Sequence, residues 1–212
     1  MKRGRAMSWA RLLAVATAII AWFGLAVQVV LIVDSLGPAL GLWRYFGYFT
    51  VLTNIGVAGI ATAISLGGPA WLSGARARLM GLTSIVTVGI VYSLLLRSIW
   101  SPQGWQKIAD MLLHDVTPLL FLLLWAVMPH GALKWSDLKW ALLPPALYLA
   151  YALARGTVDG WYAYWFLDPS SQSLGQLSLS IIGVLAVFAL VAAIAVAIDR
   201  SGVWSRHSVP PA

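Results

Sequence analysis

Thr50 and His114 are the side chains in this sequence best suited to do chemistry together. Thr50 lies in Trp43-Arg44-Tyr45-Phe46-Gly47-Tyr48-Phe49-Thr50-Val51-Leu52-Thr53-Asn54, an aromatic collar that runs straight into polar residues. On a helix Thr50, Thr53 and Asn54 share one flank, stacked about a turn apart. His114 lies in Ala109-Asp110-Met111-Leu112-Leu113-His114-Asp115-Val116-Thr117-Pro118, with Asp110 four residues before it and Thr117 three after, on overlapping faces. A hydroxyl beside an imidazole is the minimum for nucleophilic acyl transfer, because the base removes the proton that leaves threonine a weak nucleophile. Thr50 is then the nucleophile and His114 the base, with Asp110 orienting the ring. An oxyanion donor is expected from Asn54 or from a loop amide. The plainer reading is that these side chains bond neighbouring carbonyls and serve packing; spacing alone does not separate the two.

The elements that must position this pair are apolar. Of 212 residues 60% are hydrophobic and 10% charged, with a mean hydropathy of +0.84. Runs of about 20 residues, each able to cross a hydrocarbon core of roughly 30 Å, recur along the chain. The reading is a single all-α domain over 1–212, a polytopic integral membrane protein with six transmembrane helices near 12–33, 46–66, 79–99, 109–127, 138–153 and 177–198. The first run is longer than the core of a signal peptide and lacks a small-residue cleavage site, so it is expected to remain as a helix. Gly37 and Pro38 read as turn punctuation, and Pro144 and Pro145 predict a kink in the fifth helix. Residues 155–169 form the longest non-apolar connector, the kind of segment where function concentrates.

Six spans put both termini on one side of the membrane. That side carries ten of the 14 basic residues, Lys2, Arg3, Arg5, Arg11, Arg76, Arg78, Lys134, Lys139, Arg200 and Arg206; the other has Arg44, Arg97, Lys107 and Arg155. Positive charge marks the cytoplasmic side, so both termini are expected in the cytoplasm of a cell whose inner membrane holds the protein. Thr50 and His114 then share one depth in the outer half, while His130 and His207 fall in cytoplasmic segments. The pI near 10.1 is a matter of topology, since the basic residues lie beside apolar spans and form no nucleic-acid-binding face.

Cysteine is absent and all seven acidic residues are aspartates, which removes disulfides, thiol nucleophiles and Cys-held cofactors. One buried histidine with scattered aspartates matches no usual ligand set, so neither metal nor cofactor is expected. Arg97 and Arg155, at the outer boundary, either clamp a lipid carboxylate or phosphate or simply snorkel. Asp115 needs a partner, Arg97 or Arg155, or outer water. Tyr92 is expected to hydrogen-bond within the bundle. Trp100, Trp105, Trp161, Tyr162, Tyr164 and Trp165 read as an interfacial belt, with a cover over the site as the alternative. Asp159 and Asp168 read as turn terminators.

Tyr48 to Asn54, Tyr92 with Arg97, Leu113-His114 followed by Pro118, and Arg155-Gly156 with Gly160-Trp161-Tyr162 and Phe166-Leu167-Asp168 together resemble the bacterial six-helix membrane family called Pr-six-Pr, over most of the chain. That family is distantly similar to the androgen-induced-gene and androgen-dependent TFPI-regulating membrane proteins of animals, which are intramembrane threonine hydrolases of fatty acid esters of hydroxy fatty acids. The resemblance implies a Thr and His pair at Thr50 and His114, with Thr53 fitting less well. The expected partners are the lipid bilayer and a lipid or fatty-acyl ester substrate. The rival expectation is a non-catalytic small transporter or lipid-binding protein, whose polar residues would continue through the membrane.

Overall fold

The computed structural model describes residues 8–201; the expectations on Lys2, Arg3, Arg5, Arg206 and His207 lie outside them. Among the described residues the protein is all helix, without strands. Helix α1 (Trp9–Leu36) opens on Ser8, whose hydroxyl accepts the Arg11 amide. Helix α2 (Pro38–Tyr45) follows immediately, so the segment expected to be a turn is helical. Pro38 cannot donate an amide but suits a first helical turn, where that amide has no partner. α2 folds back along α1: a Cβ on Gly41 would come within 2.8 Å of the Val33 backbone.

Helix α3 (Phe49–Leu66) ends on Gly67, left-handed at φ 71°, a conformation glycine adopts without steric cost. After the short α4 (Ala70–Ser73) comes α5 (Ala75–Val91), which widens into a π-turn over Tyr92–Leu96. α6 (Gly104–Met111) passes through a second π-turn, Leu112–Val116, into α7 (Thr117–Val127). Helix α8 (Leu138–Asp159) runs on through Pro144 and Pro145 and ends on left-handed Gly160. Helix α9 (Leu174–Arg200) starts with a capping box, Ser173 Oγ accepting the Gln176 amide while Gln176 Oε1 accepts the Ser173 amide.

These helices make an all-α membrane bundle. Five continuous helical rods, 9–36, 49–66, 70–96, 104–127 and 174–200, are long and apolar enough to cross a membrane. The sixth rod, α8, has 22 residues, about 33 Å at the α-helical rise, but its two prolines, Lys139 and Arg155 lower its apolarity. α3 is the central element. In its most apolar stretch 61% of residues are buried, against 22% for α9, whose Leu179, Ile182, Leu190 and Ile194 side chains point outward, as lipid-facing surface does.

Between lipid-facing helices the hydrophobic effect contributes little, and close packing and internal polar bonds hold the bundle. Small residues supply the packing: Ala14, Ala61, Ala141, Ala192 and Gly81 let Leu79, Ile85, Phe121 and Leu124 fill the end of the bundle remote from the α3 N-terminus. Polar contacts close that end. Arg76 pairs with Asp137 at 2.8 Å, and His130 Nδ1 lies 3.2 Å from Asp199 Oδ1, both side chains almost fully buried. His130 lies in the non-helical connection after α7 and its ring is part of the packed end.

Candidate functional site

Thr50 owes its position to the break before α3. Gly47 sits against Trp161 and the Arg44 carbonyl, where a Cβ would be 2.7 Å from the indole, and Tyr48 is extended. The aromatic collar is thus a helix end, a bend and a cap, and α3 begins at Phe49. Thr50 is its second residue, so its amide has no intrahelical acceptor. The hydroxyl of Tyr164 accepts it at 3.3 Å and lies 3.4 Å from Thr50 Oγ1.

Tyr164 comes from the connector between α8 and α9, turned inward rather than along a membrane surface. Phe166 stacks on it at 5.2 Å between ring centres, and Tyr48 and Tyr148 meet it edge-on. Gly156 makes room for the connector: a Cβ there would be 2.1 Å from the Tyr162 ring. Burial pushes the Tyr164 phenol up, which keeps it a hydroxyl donor.

His114 stands on the second π-turn, and the sequence around it explains why that turn needs outside support. The Thr117 amide reaches back to the Leu112 carbonyl, and Pro118 has no N–H. The Leu113 carbonyl is left without a helical donor. Asn54 supplies it, its Nδ2 donating to Leu113 O at 3.2 Å and to Thr50 O at 2.8 Å. Both amide hydrogens are used, so Asn54 is no oxyanion donor; it ties the Thr50 backbone to the Leu113 backbone beside His114. Gly24 on α1 and Gly89 on α5 let the wide turn approach, a Cβ on either standing within 3.3 Å of Leu113 or His114 atoms.

The pair itself is assembled. Thr50 Oγ1 lies 3.3 Å from His114 Nε2. His114 Nδ1 faces two acceptors, the Asp110 carbonyl at 3.0 Å and Asp110 Oδ1 at 3.3 Å, so Nδ1 carries the proton and Nε2 is left to accept one from Thr50. The other carboxylate oxygen of Asp110 accepts the Tyr92 hydroxyl, and the Tyr92 ring stacks on the imidazole with centroids 4.0 Å apart. Thr50, His114, Asp110 and Tyr92 thus form one chain of contacts, and two of the four stand on π-turns, features frequent at functional sites.

Thr50 also stands where two cavities meet. One, of about 290 Å³, is bordered by His114, Asp110, Gln28, Gln106, Trp100 and Tyr164. The other, of about 70 Å³, is apolar, walled by Phe49, Val88, Pro145, Leu149, Phe166 and Phe188. The two cavities therefore draw on α1, α8, α9 and the connector as well as on the elements that carry Thr50, Tyr92 and His114.

Arg97 and Arg155 are not brought to either cavity. Arg97 pairs with Asp115 and lies 4.8 Å from the Tyr92 ring centre. Arg155 donates to Tyr151 Oη at 2.7 Å and to the Trp43 carbonyl, its guanidinium 3.6 Å above the Trp43 ring. Asp159 accepts from Trp43 and Trp161 and pairs with Arg44 at 3.3 Å, and Asp168 accepts the Ser170 amide, both as turn terminators. Among the described residues no group of three or more His or Asp side chains is placed to hold a metal ion. Gln28 and Gln106, 2.8 Å apart, carry no motif; their signal is only that Gln28 interrupts an apolar run and that Gln106, Asp110 and His114 recur every four residues.

Comparison with protein-family models, curated proteins and solved structures finds no match. The geometry of the site is what remains to argue from.

Proposed function

We propose that this protein is an intramembrane threonine hydrolase that cleaves an amphiphilic lipid ester, the reading to which the Pr-six-Pr resemblance also points. The observation that carries it is Thr50 Oγ1 at 3.3 Å from His114 Nε2, with Asp110 on the far nitrogen and a polar and an apolar cavity meeting at the hydroxyl. An acyl chain enters the apolar cavity and the ester carbonyl lies over Thr50. His114 Nε2 takes the Thr50 proton as Oγ1 attacks the carbonyl carbon. The developing oxyanion is met by the Tyr164 hydroxyl, which the Thr50 amide at the positive end of α3 holds in place. Collapse expels the alcohol, which leaves with the proton from His114, and acyl-threonine remains. Water, giving its proton to His114, releases the fatty acid and restores Thr50.

The positive-inside distribution supports a bacterial inner-membrane protein with both termini cytoplasmic and the site in the outer half. A second reading has its own observation. The hydroxyls of Thr83, Ser84, Thr87 and Thr117 are buried without a hydrogen-bond partner in the protein, so polar groups continue beyond the site in the manner expected of a transporter or lipid-binding protein.

Labelling of the detergent-purified protein with a fluorophosphonate separates the two. Hydrolase chemistry predicts labelling of wild type and Thr53→Ala, and none of Thr50→Ala or His114→Ala, with all four folded. Wild-type protein that is folded yet neither labels nor cleaves esters, and moves a solute across proteoliposomes, sinks the hydrolase reading.

A further inference from the structure

The larger cavity is walled in a way that bears on what lies beyond the ester. Among the described residues its one acidic side chain is Asp110, and no lysine or arginine borders it. The cations of this end are matched elsewhere. Arg44 pairs with Asp159 and lies 4.1 Å above the Trp161 ring, Arg97 pairs with Asp115, and Arg155 is buried against Trp43 and Tyr151. Lys107 is exposed and, one residue on from Gln106, points about 100° around α6. A carboxylate or phosphate held here would be desolvated beside a like charge without a counter-ion, which is costly on both counts.

Neutral hydrogen-bonding groups are present instead. Gln106 Nε2 donates to Gln28 Oε1 at 2.8 Å. That bond uses one hydrogen; the second Gln106 N–H, both Gln28 N–H groups and Gln106 Oε1 offer donors and an acceptor side by side. Such a pair matches a group that is itself donor and acceptor, a hydroxyl or a primary amide. A cavity of about 290 Å³ has room for a glycerol-sized head.

We infer that the polar end of the substrate is uncharged and hydroxyl- or amide-bearing, read by Gln28 and Gln106, so that the preferred ester is a neutral one of the acylglycerol kind and not one ending in a free carboxylate. The inference rests on the hydrolase reading for the word substrate, but the charge preference belongs to the cavity and is measurable without turnover.

The test uses a matched pair, the oleoyl ester of hydroxybutyric acid and the same ester with a primary amide in place of the carboxylate, in the full-length protein in detergent. Oleate release should favour the amide by about tenfold or more in kcat/KM, the scale on which unpaired buried polar groups discriminate. Gln106→Arg should narrow or reverse that preference. Equal rates, or faster cleavage of the acid, overturn the inference and leave the hydrolase intact. If neither ester is cleaved, the hydrolase reading falls. The preference is then read from thermal stabilisation of folded Thr50→Ala protein by the two compounds, where equal stabilisation overturns the inference and selective stabilisation by the amide upholds it.

Discussion

Two histidines in this bundle stand beside aspartates and against aromatic rings, and they have different work. His130, at the end remote from the site, lies 3.2 Å from Asp199 Oδ1 and 3.3 Å from the Ala126 carbonyl, with Trp125 edge-on at 4.6 Å. Both ring nitrogens thus face protein oxygens, and Asp199 Oδ2 accepts the Leu133 amide at 2.8 Å. This pair fastens the α7–α8 connection to α9. His114 has acceptors on one nitrogen only; the other meets a hydroxyl that can give up its proton, and a cavity lies alongside. A His–Asp pair is thus not a site by itself. What stands on the second nitrogen, and whether a reactant can reach it, decides.

The contrast is sharpest in mutants that remove one ring or the other. Thr50→Ala and His114→Ala should each lower ester hydrolysis by roughly 10³-fold or more in the folded protein, since nucleophile and base fail as a unit. Asp110→Asn should follow with a loss of about 10²-fold or more in kcat, because the tautomer of His114 is no longer enforced; an unchanged rate would mean that the Asp110 carbonyl alone orients the ring. Tyr164→Phe removes one proposed oxyanion donor and should cost about 10²-fold in kcat with KM nearly constant. A rise in KM alone would make Tyr164 a wall of the cavity. His130→Ala should do the reverse of His114→Ala: a buried Asp199 without its partner costs about 3–5 kcal/mol, read as a fall in Tm, while kcat of the surviving folded protein stays within about twofold of wild type. Loss of turnover at an unchanged Tm would erase the distinction between the two histidines.

The sequence foreshadowed more of the rods than of their ends. Spacing and hydropathy located the five rods that are long and apolar enough to cross a membrane, because a membrane span must be long and apolar whatever its neighbours are, and they marked α8 as a helix beside them. The helix at Pro38–Tyr45 was hidden by Gly37 and Pro38, which read as a turn yet equally suit a helix start. Thr50, His114, Asp110 and Tyr92 were legible because their spacing brings polar groups to one depth of an apolar segment. The tasks of Asn54 and Tyr164 were not. Asn54 answers a carbonyl freed by a π-turn, and a wide turn leaves no mark on apolar periodicity. Tyr164 looked like one aromatic among many in a polar connector, and only the fold turns it inward. The sequence leaves Arg97 and Arg155 between clamping a lipid head group and snorkelling, with either one a partner for Asp115; the structure pairs Arg97 with Asp115 and sets Arg155 against Trp43 and Tyr151.

The wide turn at Leu112–Val116 also makes the site depend on the number of residues as well as on their kinds. A π-turn holds one residue more than the α-helical turn it replaces. Deleting any one residue between 112 and 116 would restore ordinary winding with the segments on either side nearly in phase, because one full turn is kept. What would be lost is the outward bow of the turn itself, on which His114 stands, although Thr50 and Asp110 had not changed. The contact between Thr50 and His114 is in that sense written in the count of residues, and a single-codon deletion there would disturb it while leaving an apolar helix of membrane-spanning length behind.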